Sequence, residues 1–126
     1  MELQLEADAA AVAAVVADRL LEACRAGRPL GLATGRTMEP VYAALARRWA
    51  ALDQQERAAL GERWCSFNLD EYVGLGADDP RSFRAFMHQH LAVPLALDPA
   101  RLKLPDGAAA DPAAEAARYG AELAAA

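Results

Sequence analysis

The chain has 126 residues, enough for one domain with one modest core. Hydrophobic residues make up 55% of it, much of that alanine, which favours helices but buries little area per residue. Eighteen acids against 13 bases give a formal charge of -5, which argues against non-specific nucleic-acid binding but leaves room for a local basic pocket.

Leu3 and Leu5 alternate with Glu2, Gln4 and Glu6, the pattern of a short half-exposed strand. An acidic, alternating start is not a signal peptide, and no apolar run is long enough to span a bilayer; a cytoplasmic protein is expected. Asp8 is placed to cap a helix over residues 9–26, with Val12, Val16, Leu20 and Cys24 recurring along its inner face. Gly27 is the natural stop and Pro29 blocks continuation. Residues 30–33 follow as a short buried strand.

Thr37 suits the N-cap of the next helix, with Glu39 and Pro40 in its first turn. Val41, Leu45, Trp49 and Leu52 mark the inner face of that helix. Asp53-Gln54-Gln55-Glu56 has capping-box spacing, so a further helix is expected to run to about Leu60, with Gly61 as its end. Residues 64–69 read as the next strand. Asp79-Pro80, Asp98-Pro99 and Asp111-Pro112 each pair a capping oxygen with a proline suited to a first helical position. The first should start a helix burying Phe83, Phe86, Met87 and Leu91. The second gives at most a turn, then extended Leu102-Lys103-Leu104 and an Asp106-Gly107 turn. The third starts a weakly amphipathic helix carrying Tyr119 and Leu123. Strands alternating with helices predict an α/β layered fold with a mostly parallel sheet, in one domain over residues 1–126. Cys24 on a helix and Cys65 in a strand read as two buried thiols, and no zinc-type spacing occurs.

Two segments carry chemistry. In Gly31-Leu32-Ala33-Thr34-Gly35-Arg36-Thr37-Met38-Glu39-Pro40-Val41-Tyr42, a strand feeds a tight turn into a helix N-terminus. Such a turn presents free N–H groups and the positive end of the helix dipole to an anion. Thr34 and Thr37 add hydroxyls, Gly35 lets the backbone turn, and Arg36 adds a guanidinium. The bland alternative is that Thr37 only caps and Gly35 only turns. The segment is not a P-loop, since both the glycine spacing and the Lys-Ser/Thr end are absent.

In Phe67-Asn68-Leu69-Asp70-Glu71-Tyr72-Val73-Gly74-Leu75, an apolar strand stops at a carboxylate pair. A carboxylate beyond the carboxyl end of a sheet strand can abstract a proton next to a carbonyl. Period-two alternation lets only one of Asp70 and Glu71 face a shared site. The alternative is that Asp70 caps a turn and Glu71 makes a surface ion pair.

Together the two segments resemble the glucosamine-6-phosphate deaminase family, within the wider group that includes 6-phosphogluconolactonases. Gly31, Leu32, Thr34, Gly35 and Thr37 match its G-L-x-T-G-x-T-P loop, with Met38 in place of proline. Residues 67–75 match F-N-x-D-E-Y-x-G-L. Pro80, Ser82, Phe86 and Met87 fit H-P-x-S-Y-x-x-F-M, with Asp79 for His and Phe83 for Tyr. The resemblance implies a Rossmann-like three-layer sandwich. It also implies an aldose–ketose isomerase and deaminase, a hydrolase needing neither metal nor organic cofactor. Glucosamine 6-phosphate and water would become fructose 6-phosphate and ammonia. Asp70 would be the proton-transfer base, with Glu71 in support, and Thr34, Gly35, Arg36 and Thr37 would hold the sugar phosphate.

Family members are roughly twice this long, and their second half carries a G-x-G-x-x-G-H-x-x-F-N-E-P segment with the ring-opening histidine. That motif is absent from these 126 residues, so the chain reads as an N-terminal half and an incomplete catalytic unit. His88 and His90 do not replace it, because they belong to the Pro80 helix. Two other readings stand beside the deaminase: a 6-phosphogluconolactonase-type hydrolase, and a non-catalytic sugar-phosphate-binding module. An open sheet edge and a half-built core predict self-association into a homo-oligomer or pairing with a complementing C-terminal half, and neither nucleic acid nor membrane is an expected partner.

Overall fold

A computed structural model describes Met1 and residues 3–126. Three short strands, β1 (Leu30–Leu32), β2 (Ser66–Asn68) and β3 (Leu102–Lys103), form a parallel sheet in the order β1-β2-β3. Leu30 pairs with Ser66 and Leu32 with Asn68, while Ser66 also faces Leu102. Leu30, Leu32, Ser66, Asn68 and Leu102 therefore share one face, and Gly31, Phe67 and Lys103 share the other.

The first face holds the main core. It packs against α1 (Ala9–Arg25), α2 (Glu39–Ala51), and a continuous helical stretch made of α4 (Phe83–Met87), a π-helical turn (His88–Ala92) and α5 (Val93–Leu95). The second face meets α6 (Pro112–Ala124), whose Tyr119 ring lies 5.9 Å from that of Phe67. The result is a three-layer α/β fold. No helix among the described residues is long and apolar enough to cross a membrane.

The aspartate caps form as read. Asp8 accepts from the Ala11 amide at 2.8 Å, Asp53 from Glu56 at 2.7 Å, and Asp111 from Ala113 at 3.0 Å and Ala114 at 3.1 Å. Gly27 ends α1 with φ +67. Asp98 caps only the 3-10 turn Pro99–Arg101, and a turn at Asp106 follows β3.

Several expectations are corrected. Residues 3–8 form no strand, and Leu3 and Leu5 are exposed, because alternation alone supplies no neighbouring strand to pair with; Glu2 lies outside the described residues. The buried stripe of α1 is Ala13, Ala17, Leu21 and Cys24; Cys24 is buried as read, Val16 and Leu20 pack half-buried at the margin of the core, alanine lets α2 approach closely, and Val12 is exposed. Helix α2 starts one residue later than a Thr37 cap implies, with Met38 at the N-cap position and Glu39 and Pro40 in its first turn as read. A 35–38 turn, closed by the Met38 amide on the Gly35 carbonyl at 2.9 Å, uses up residues 36–38 first.

Helix α3 (Gln54–Arg63) runs through Gly61 to Arg63, and β2 accordingly starts at Ser66. Cys65 therefore precedes β2 and is half-buried, while Cys24 is buried; both thiols are free. Asp79-Pro80 opens a turn rather than a helix. The Asp79 carboxylate is taken by the Arg81 guanidinium, and Ser82 caps α4 instead, accepting from the Ala85 amide at 3.0 Å. Leu123 of α6 is exposed, whereas Tyr119 is buried.

Trp64 and Trp49 meet edge to face at 5.9 Å inside the core. The Trp64 indole N–H donates to Ser66 Oγ at 3.0 Å, which satisfies both groups where water is absent.

Candidate functional site

Parallel pairing sends neighbouring strands out of the sheet at the same edge. Leu32 and Asn68 are the last register pair of β1 and β2. Residues 34–37 therefore leave the sheet beside Asp70, at the carboxyl ends of the strands, where open α/β sheets bind ligands.

The first segment leaves β1 through Ala33, whose carbonyl accepts from the Tyr42 hydroxyl at 2.5 Å. Tyr42 is fully buried, and burial pushes its phenol well above the ordinary tyrosine value, so it stays a neutral donor. Thr34 is half-buried, and Gly35, Arg36 and Thr37 are exposed. Gly35 has φ +98, a conformation that side chains rarely adopt. Among the described residues, the amides of Gly35, Arg36 and Thr37 donate to no protein acceptor, and Arg36 pairs with no carboxylate. Helix α2 has no side-chain cap on its N-terminus. The turn thus presents free donors, a guanidinium and a helix end, while Glu39 in the first helical turn opposes an anion.

The second segment separates its two carboxylates. Asp70 is exposed, and among the described residues its side chain accepts no hydrogen bond. Glu71 is half-buried, and its carboxylate accepts from the amides of Tyr72, Phe83 and Arg84, each at 2.9 Å. Glu71 is thus bound to the start of α4 and, among the described residues, makes no ion pair, against the reading of a surface ion pair. Asp70 is the carboxylate left open to a ligand. Tyr72 lies over Phe83 with ring centroids 4.5 Å apart, which fastens the same loop to α4.

His90 is packed rather than open, its ring 4.3 Å from that of Phe86. Two cavities, of about 480 and 410 Å³, are lined by neither Asp70 nor residues 34–37. One runs beside Arg84 and His88 toward β3, and the other beside α3 and the 3-10 turn. Three supports escaped sequence reading. Tyr42 fixes the exit of β1. The Tyr119 hydroxyl lies 2.8 Å from the Asn68 carbonyl and 3.0 Å from that of Lys103, sharing its proton between two strand ends. Gly107 packs under residues 72–75. Tyr42 closes the first segment, where the sequence assigns it no role, and Gly107 reads there only as part of a turn.

No protein-family model matches the chain. Among curated proteins it is 40% identical over 121 residues to the glucosamine-6-phosphate deaminase of Cutibacterium acnes, and 38% identical over 121 residues to that of Cellvibrio japonicus. Each match covers 94% of this chain and 44% of the relative. The Streptomyces coelicolor deaminase is 38% identical over 129 residues, covering 98% of this chain and 46% of the relative. The fold is similar to a solved structure described as a monomeric glucosamine-6-phosphate deaminase of the NagB superfamily. The TM-score is 0.81 at 29% identity, covering 99% of this chain and 51% of that one. The chain thus spans about half the length of the curated relatives it matches. Over nearly all of its residues, in sequence and in fold, it is homologous to the glucosamine-6-phosphate deaminase family.

Proposed function

We propose that residues 1–126 supply the phosphate cradle and the proton-transfer base of a glucosamine-6-phosphate deaminase. The observation that carries the reading is the Leu32–Asn68 register, which brings a donor-rich turn and an unpartnered carboxylate out at one sheet edge. The phosphate of the sugar would rest on the amides of Gly35, Arg36 and Thr37, with the Thr34 and Thr37 hydroxyls and the Arg36 guanidinium as further donors.

Asp70 would act on the open-chain sugar, where the C1 aldehyde acidifies the hydrogen at C2. The carboxylate takes that proton, and the electron pair spreads over C2, C1 and the carbonyl oxygen, which takes a proton from solvent. The same carboxyl then delivers its proton to C1. This leaves an imine at C2, water adds there, and ammonia departs to give fructose 6-phosphate. Ring opening requires a separate acid-base group. The histidine motif to which the family resemblance assigns it has no counterpart in residues 1–126.

The test is release of fructose 6-phosphate and ammonia by the 126-residue chain, alone and mixed with a separately produced C-terminal half of a homologous deaminase. A positioned acid-base group contributes about 10²–10⁴-fold. The chain alone should therefore run near background, and mixing should restore turnover. Robust turnover by the chain alone would refute the division of labour, and none on mixing would count against the deaminase reading.

A further inference from the structure

Gly107 sits in the turn between β3 and α6, and sterics dictate its glycine. A Cβ there would stand 2.4 Å from the carbonyl oxygens of both Tyr72 and Leu75, and 3.1 Å from Glu71 Cγ. The two oxygens are backbone and cannot rotate aside, so any side chain must push residues 71–75 away. The Gly107 carbonyl also accepts from the Gly74 amide at 2.7 Å, which joins the two turns. Its own turn is anchored in α6: the Asp106 amide donates to the Glu115 carboxylate at 2.9 Å. The Glu71 carboxylate holds the loop to α4 through the Phe83 and Arg84 amides and also accepts from the Tyr72 amide.

We propose that Gly107 and Glu71 are positioning residues that fasten residues 71–75, Gly107 to the turn after β3 and Glu71 to α4, and so fix Asp70 at the mouth of β2. The inference rests on the reading of Asp70 as the base. Neither residue is a partner of Asp70, so each acts through the loop. Asp70 then lies between two fixed points. Upstream, the Asn68 carbonyl is held by Tyr119; downstream, Glu71 is held by α4.

The test uses the isotopically labelled 126-residue chain and follows the Asp70 carboxyl carbon resonance, together with hydrogen exchange at the Tyr72, Phe83 and Arg84 amides. Gly107→Ala and Glu71→Gln should each broaden or split the Asp70 signal. Both should speed exchange at those amides about ten-fold or more, as expected when charge-assisted bonds loosen. The amides of Gly35, Arg36 and Thr37 should not move. Gly120→Ala, where a Cβ meets nothing within 4 Å, is the control and should change neither readout. Glu71→Gln decides the matter should Gly107→Ala fail to fold. A sharp, unshifted Asp70 signal with parental exchange rates would overturn the clamp. These spectra require no turnover, so a failed clamp and a failed base assignment give different results.

Discussion

Leu32 and Asn68 face each other at the last register of two parallel strands, and everything proposed for the site follows from that pairing. Two residues beyond each lie Thr34 and Asp70, so the donor-rich turn and the open carboxylate emerge side by side. A slip of one residue would turn Asn68 to the α6 face and redirect the carboxylate.

Asp70→Asn removes the base while keeping the side chain's shape. Measured on the chain complemented by a C-terminal half, kcat should fall by about 10²–10⁴-fold. Phosphate-dependent binding should be largely kept. Near-parental kcat would rule out the base role.

Gly35 and Gly31 separate backbone from space. Neither has an atom within 4 Å of an added Cβ, but only Gly35 has a positive φ, +98. Gly35→Ala should therefore cost about 1 kcal/mol or more in urea unfolding and weaken phosphate binding. Gly31→Ala, in a strand, should be neutral or mildly stabilising. Equal effects at the two positions would contradict this account of the turn.

The sequence made the polar punctuation of the fold readable, because an aspartate cap acts over two or three residues. Asp8, Asp53, Asp98 and Asp111 all cap where the sequence places them. Contacts between distant residues were not readable. The inner face of α1 turns on Ala13 and Ala17, whose value lies in letting α2 approach, whereas hydropathy favours Val12, which is exposed, and Val16, which packs only at the core's margin. Glu71 reaches amides 12 and 13 residues away, and Gly107 packs on carbonyls more than 30 residues earlier in the chain, so no local pattern encodes either role. Asp70 and residues 34–37 were visible as segments, and their shared edge follows from parallel pairing.

Trp64 and Ser66 form an isolated polar contact in the core. Ser66→Ala should destabilise the fold by about 1–3 kcal/mol, since the buried indole N–H loses its acceptor. Pairing it with Trp64→Phe, which removes the donor, should recover part of that loss in a double-mutant cycle. Full additivity in urea midpoints would show that the bond contributes nothing.

Tyr119 links stability to alkaline pH. Burial is the main cause pushing its phenol from 10.0 up to about 12. The unfolded chain releases that proton first, so stability is level below pH 10 and falls as pH rises from 10 toward about 12. Tyr42 is pushed the same way by burial. Tyr119→Phe should lower stability at neutral pH and remove about 1.4 kcal/mol per pH unit from the alkaline slope. An unchanged slope in urea midpoints across that window would contradict the assignment.

The central claim is that residues 34–37 and Asp70 form one sugar-phosphate site. The most direct measurement is a titration of the labelled 126-residue chain with glucosamine 6-phosphate, followed by amide and carboxyl resonances, with unphosphorylated glucosamine as the control. The account predicts saturable shifts at the Gly35, Arg36 and Thr37 amides and at the Asp70 carboxyl, all with one affinity and none with glucosamine. Shifts confined to other parts of the chain, or separate affinities for the turn and for Asp70, would contradict it.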